Sequence, residues 1–351
     1  MNDWIEQPII EPDAAVYRQA LAHQLQLTKP PGSLGLLEDI AVRLCAMQGT
    51  LIPTLDRLAI RIFAGDHGVA AEAVSAFPQA VTVEMIRNFA AGGAAINVLA
   101  RGLDADFAVV NMGTATTSPM GDNILQYPVA PGTANFCQGP AMSAAQLQQS
   151  LAAGAAIAEQ LGPVDLFIGG EMGIANSCSA AALAAALLQA PAEALVGLGT
   201  GVDGAGRARK VDAVARALAR LHSMPDAVTG DPLALLQQLG GFEIAALTAC
   251  YLRCAQRGIP ALIDGFICSV AALLAARINP ACRRWFFFAH QSAEAGHGRV
   301  LAAMDATALL QLDMRLGEGS GAALAVPLLR SACELHNNMA TFATAGVSDG
   351  H

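Results

Sequence analysis

Charge is scarce in this chain. Asp, Glu, Lys and Arg make up 14% of its 351 residues, and only two of them, Lys29 and Lys210, are lysines. Twenty basic against 29 acidic residues leave a net charge of −9 with no basic stripe, so no nucleic-acid partner is expected. Aromatic residues are also few, at 5%. The eight cysteines form no C-x-x-C pair and the seven histidines no H-x-x-x-H pair, which leaves a metal site without sequence support. The cysteines read instead as reduced, buried small hydrophobes. No membrane span is expected either. The uncharged run over residues 172–192 is rich in alanine and contains Asn176 and Pro191, which makes it a poor spanning segment. The acidic start M-N-D-W-I-E is neither a signal nor a transit peptide, so the expectation is a cytoplasmic protein.

What the chain does have is alanine, 34 glycines and a rhythm. A helix is expected over residues 13–27, a shaped loop T-K-P-P-G-S-L-G over 28–35, and a helix over 36–47. Short apolar runs then alternate with longer helical ones. Residues 58–64, 107–112, 165–169, 194–199, 260–264 and 285–289 read as buried parallel strands. Each run ends in small or polar residues, among them Gly65-Asp66-His67, Gly170-Glu171, Gly199-Thr200-Gly201, Asp264-Gly265 and His290-Gln291-Ser292. In open α/β sheets ligands bind outside the carboxyl ends of the strands. After Ala303 the pattern changes to a short helix over 305–312, a glycine-rich loop and a final helix, with no further strand. The expected fold is therefore α/β: a Rossmann-like parallel sheet of about six strands flanked by helices. The termini are expected to pack together, giving a large domain over 28–327 and a small helical domain from 1–27 plus 328–351.

Three stretches carry chemistry. Leu312 to Pro327 reads L-D-M-R-L-G-E-G-S-G-A-A-L-A-V-P, which sets Glu318 between two glycines just before a helix. A lone acid on so bare a loop suits a catalytic carboxylate, and equally a helix N-terminus that favours negative charge. Loop 199–204 matches G-x-G-x-x-G before a helix over 207–221, so it offers backbone N–H groups to a phosphate. No acid-ended second strand follows about 20 residues on, so a mononucleotide phosphate or a plain turn fits better than a dinucleotide. Lys210 stands just beyond these glycines, where a point charge would complete a phosphate cradle. Gly-Gly-Glu171-Met-Gly173 is a second glycine-flanked acid, and Ser292 a further phosphate candidate. Phe77, Gln79 and Met85 offer a ring, an amide and a thioether to a flat ligand, or simply core. Asp66 and His67 are neighbours on a turn that need not face each other.

Together these motifs resemble the nicotinate-nucleotide–dimethylbenzimidazole phosphoribosyltransferase family, which makes the lower-ligand nucleotide of cobalamin. The stretches that carry the resemblance include K-P-P-G-S-L-G, G-D-H-G-V-A, S-A-F-P-Q-A-V-T, G-G-E-M-G-I-A-N, H-Q-S-A-E-A-G-H and the long motif around Glu318. It runs from residue 28 to 347 and departs from the family's usual residues at Leu198, Gly204 and Ala295. It implies transfer of 5-phosphoribosyl from nicotinate mononucleotide to 5,6-dimethylbenzimidazole, with Glu318 as general base, no metal or redox cofactor, and a homodimer. It implies a base pocket from Phe77, Gln79, Met85 and Leu316. Phosphate and ribose would meet Glu171, Gly173, Asn176, Gly199, Thr200, Gly201, Lys210 and Ser292. The readings that compete with it are a nucleotide-binding protein and an NAD-dependent oxidoreductase built on loop 199–204.

Overall fold

The computed structural model describes residues 4–117, 121, 123–199 and 201–348. Among them, seven strands form one parallel sheet: β1 Leu58–Gly65, β2 Asp106–Gly113, β3 Ile124–Gln126, β4 Leu166–Met172, β5 Ala261–Ile263, β6 Phe286–His290 and β7 Ala308–Leu310. The helices in chain order begin with α1 Ala14–Gln26, α2 Leu36–Gln48, α3 Ala80–Ala91, α4 Ala95–Gly102 and α5 Ala144–Gln160. Next come α6 Asn176–Leu188, α7 Ala192–Leu195, α8 Gly204–His222, α9 Asp226–Thr229 and α10 Pro232–Leu239. The last are α11 Phe242–Gln256, α12 Phe266–Ile278, α13 His297–Ala303, α14 Ser320–Asn338 and α15 Phe342–Ala345.

The strand order is β3-β2-β1-β4-β5-β6-β7, with every pair parallel. The chain builds outward from β1 in one direction, returns through α5, and builds outward in the other from β4. The order thus reverses between β1 and β4, and such a switch point opens a crevice at the carboxyl ends of the two strands.

Five of the six expected strands are present. Residues 194–199 are not a strand: Ala192–Leu195 is one helical turn, followed by irregular chain. Short apolar runs do not distinguish a strand from a buried helical turn. The residues expected as a helix over 305–312 hold β7 instead, and β3 was not expected at all. Both are three residues long and stand at the sheet's two edges.

Small residues set the spacing of the layers. Gly169 and Gly170 are consecutive in β4, so they face opposite sides of the sheet. A Cβ on Gly169 would strike Leu247 and Tyr251 of α11, and one on Gly170 would come within 2.7 Å of the main chain at Glu318 and Gly319. The core helix thus lies tight on one face of β4 and the Glu318 loop on the other. Gly154 of α5 does the same against α11, where a Cβ would overlap the Ala246 carbonyl. Gly154→Ala is expected to destabilise the protein by about 1–3 kcal/mol or more, because both partners are backbone and cannot turn aside. Denaturant unfolding checks this, and an unchanged midpoint would show that the two helices can separate freely.

α1, α2 and the second half of α14 pack together. Ala20, Val42 and Cys45 form a small apolar cluster, Gln24 Nε2 contacts Nδ1 of the buried His336 at 2.7 Å, and Leu27 bridges Thr341. α14 runs unbroken through Pro327, so a single helix links this bundle to the Glu318 loop. Lys29 of the shaped loop pairs with Glu38 of α2 at 2.8 Å. All eight cysteines are free thiols and seven are buried. Among the described residues no helix is long and apolar enough to cross a membrane.

Candidate active site

Glu318 stands at φ +63° between Gly317 at +84° and Gly319 at +75°. Three left-handed residues in succession are natural for glycine but cost about 1–3 kcal/mol at the glutamate, so the surroundings must impose the turn. The turn ends at the start of α14, where Ser320 N–H donates to Gly317 O at 3.1 Å. The Glu318 side chain is 6% exposed, and its buried Oε2 has no hydrogen-bond partner among the described residues. Burial, and then the charge of Asp264, push its carboxyl up to about 7. A carboxylate that gains a proton near neutral pH is matched to general-base work.

Three neighbouring strand ends surround it. Glu171 lies at the end of β4, and its Oε1 abuts Gly317 so closely that a Cβ there would collide with it. Its Oε2 accepts from the Asn176 amide in a short bond. Burial, then Asp264, push Glu171 up to about 8, against the pull of Asn176. Asp264 follows β5 and accepts from Gly319 N–H at 3.2 Å and Ala322 N–H at 2.8 Å. His290 ends β6, with Nε2 3.7 Å from Asp264 Oδ1. Among the described residues no group of three His, Cys, Asp or Glu could hold a metal ion.

Across the cleft the charge changes sign. Lys210 of α8 is 1% exposed, and Nζ donates to Ser177 Oγ at 3.0 Å. Among the described residues no carboxylate lies within 4.0 Å of it. Burial holds its pKa below the usual lysine value. Gly199, at φ +58°, lies where a Cβ would be 2.9 Å from both Lys210 Nζ and Ser177 Oγ. Asp203 caps α8 by accepting from Gly206 N–H at 2.7 Å. Ser292 belongs to the turn after β6. Its N–H donates to His297 Nδ1 at 2.8 Å, so His297 carries its proton on Nε2, next to Ser269 Oγ at 2.9 Å. Burial holds His297 down to about 3, which keeps it neutral.

One cleft, open to solvent, joins the two halves. Of the residues singled out from sequence, Glu171, Gly173, Asn176, Gly199, Lys210, Ser292 and Leu316 line it, and Glu318 is buried behind Gly317 at one end. Phe77, Gln79, Met85 and Gly201 do not line it. Phe77 is 49% exposed, and Gln79 is held by a bond from Nε2 to His67 O at 3.0 Å. Val74 and Ser75, just before Phe77, do reach the cleft. Thr200 lies outside the described residues. Asp66 and His67 diverge: Asp66 accepts from Thr82 Oγ1 at 2.6 Å, whereas His67 Nε2 lies 2.6 Å from Glu243 Oε1 in a buried pair.

Sequence reasoning passed over Ser177, Arg315 and Glu243, and noted Asp264 and His290 only as strand ends. An acid closing an apolar run, as at Asp264, was the one available signal. The loop 199–204 is no dinucleotide fingerprint, because no strand precedes it and α8 leads into α9 with none after it.

A doubly wound parallel sheet with a buried lysine and a high-pKa carboxylate beside one cleft at the carboxyl ends of β4, β5 and β6 suits an enzyme acting on a nucleotide. A family model described as phosphoribosyltransferase matches residues 9–347. The chain is 58% identical to the nicotinate-nucleotide–dimethylbenzimidazole phosphoribosyltransferase of Azotobacter vinelandii, over 99% of each chain. It is 56% identical to the enzyme of that name from Pseudomonas aeruginosa, over 99% of this chain and 98% of that one. The crystal structure so named from Thermus thermophilus superposes with a TM-score of 0.90 at 45% identity, covering 96% of this chain and all of that one. The chain belongs to the nicotinate-nucleotide–dimethylbenzimidazole phosphoribosyltransferase family, and is a transferase.

Proposed function

We propose that the chain moves the 5-phosphoribosyl group of nicotinate mononucleotide onto 5,6-dimethylbenzimidazole, with Glu318 as general base. The products are nicotinate and α-ribazole 5′-phosphate. The observation that carries this reading is Glu318 itself: buried, without a hydrogen-bond partner at Oε2 among the described residues, and raised to about 7 beside a cleft that also holds Lys210, whose Nζ has a hydroxyl partner and, among the described residues, no carboxylate within 4.0 Å.

The chemistry asks for one base and no acid. The donor's pyridinium ring leaves with the bonding electron pair as neutral-ringed nicotinate. One benzimidazole nitrogen attacks C1′ from the opposite face, which turns a β-nucleotide into an α-nucleotide, while the other gives its proton to Glu318. Lys210, Gly199, Gly201, Thr200 and Ser292 take the phosphate in this reading, and Glu171, Gly173 and Asn176 the ribose. Leu316, Phe77, Gln79 and Met85 take the base. Since Phe77, Gln79 and Met85 stand outside the cleft, the benzimidazole would extend it toward α3.

Residues 1–27 plus 328–351 are proposed as the small helical domain. The enzyme is proposed to be a cytoplasmic homodimer. Tyr17, Leu21 and Leu25 stand exposed one helical turn apart on α1, an apolar face that a second copy would cover.

Incubation with nicotinate mononucleotide and dimethylbenzimidazole should release nicotinate and yield the α-linked nucleotide, read by mass and NMR. No nicotinate release with any base would end the proposal. With a base near 7, kcat should fall tenfold per pH unit well below that value and level off above it. A flat profile from pH 5 to 9 would remove Glu318 as the base.

A further inference from the structure

Asp264 is 1% exposed and does not line the cleft, yet both its oxygens are committed to the Glu318 turn. Oδ2 accepts from Gly319 N–H and Oδ1 from Ala322 N–H. These donors open α14, whose own N-cap, Gly319, has no side chain to receive them. A carboxylate from the end of β5 thus does the work of a helix cap. The Gly319 N–H belongs to the peptide that joins Glu318 to Gly319, so the bond fixes that peptide plane. It does so where the chain is strained, at the φ +63° glutamate. His290 closes the neighbouring strand, with Nε2 3.7 Å from Asp264 Oδ1. Its ring lies against the first turn of α14, where a Cβ on Gly321 would collide with it.

We infer that Asp264, backed by His290, is a positioning residue of the reaction: it clamps the turn that carries Glu318 and so fixes how that carboxylate meets the attacking base. The inference rests on Glu318 being the base. The pair replaces a local cap with one wired to the sheet, so the general base is referenced to β5 and β6.

The charged groups around Glu318 are Glu171 at the end of β4, Asp264 after β5 and His290 on β6, with Glu294 after β6 on the same cleft. Farther off stand the His67–Glu243 pair, Lys210 on α8, Arg315 on the same loop, and His297 behind His290. Asp264 is the one whose charge, after burial, raises Glu318. Burial pushes Asp264 itself up, while His290 and the N–H groups of Ala322, Gly265 and Gly319 favour its anion.

Asp264→Asn keeps the volume and one accepting oxygen but removes the charge. Its kcat with nicotinate mononucleotide and dimethylbenzimidazole should fall about 10- to 100-fold, the cost of a misplaced catalytic group. The donor KM should stay within roughly threefold, since ground-state binding is untouched. The acid limb of kcat should move to lower pH, because Glu318 loses a neighbouring anion. A purely structural role would lower the active fraction and leave the limb in place. A wild-type profile, or a many-fold rise in KM with kcat kept, would overturn the inference. If Asp264→Asn gives no folded protein, His290→Asn serves. It leaves the two backbone bonds but makes the Asp264 anion harder to hold, so the limb should move the same way, and an unmoved limb overturns the clamp. Glu318→Gln measured alongside keeps the two ideas apart. If it stays active, the base assignment fails by itself. If it is inactive while Asp264→Asn behaves as wild type, only the clamp falls.

Discussion

Glu318→Gln is expected to lower kcat by about 10²–10⁴, the usual worth of a positioned base, with little change in donor KM. Glutamine has the size of glutamate and can sit in the same left-handed turn, but its amide cannot take the benzimidazole proton. The same variant should be more stable than the wild type above pH 7, which a mere loss of packing would not produce. The sign follows from linkage. Glu318 has a folded pKa of about 7 against 4.5 for the ordinary carboxyl. Between those values the unfolded chain has released its proton while the folded one still holds it, so stability falls as pH rises through the window. Above pH 7 the penalty is complete, on the order of 3 kcal/mol. Glutamine carries no such penalty, so unfolding curves of the two proteins should coincide near pH 4 and separate at pH 8. A variant both inactive and less stable at pH 8 would mean that Glu318 holds the turn rather than the proton.

Glu318 stood out in the sequence because an acid with glycines on both sides has no neighbour in sequence to pair with, although a helix N-terminus that favours negative charge explained it equally well. Of its environment only Glu171, a second glycine-flanked acid, was legible. Asp264, Glu171 and His290 lie at three strand ends that meet Glu318 only because β4, β5 and β6 are adjacent, and adjacency is a property of topology. The strands themselves were readable because a parallel strand buried on both faces is a continuous apolar run. The same rule failed at residues 194–199, where Leu195 and Val196 are buried without being in a strand. There Gly296 packs against the Leu195 carbonyl. β3 and β7 escaped notice for the opposite reason, being half-buried edge strands too short to show a pattern. The Lys210 site was legible in part. Two lysines in the whole chain made each conspicuous, but only the structure separates them: Lys29 has Glu38, and Lys210 has a hydroxyl.

Lys210→Met should raise the KM for nicotinate mononucleotide about 10- to 150-fold, the range for losing one hydrogen bond to a charged group worth about 1.5–3 kcal/mol. kcat should change less, because the phosphate is remote from the bond that breaks. Methionine fills nearly the same space, so packing in α8 is preserved. Stability distinguishes a binding role from a structural one. An ammonium buried beside Ser177 Oγ, with Glu294 only as a more distant anion, is disfavoured by desolvation, which is why its pKa is held down. Removing the charge should therefore leave the free enzyme as stable as before or more so, while removing a structural ion pair would weaken it. Inorganic phosphate should protect the wild type against thermal unfolding and fail to protect the variant, since a ligand stabilises only the state that binds it. Nicotinate riboside, which lacks the 5′-phosphate, gives the sharpest comparison. Wild type and variant should use it equally poorly if Lys210 reads the phosphate. A variant that loses activity on the riboside as steeply as on the nucleotide would place Lys210 elsewhere in the mechanism.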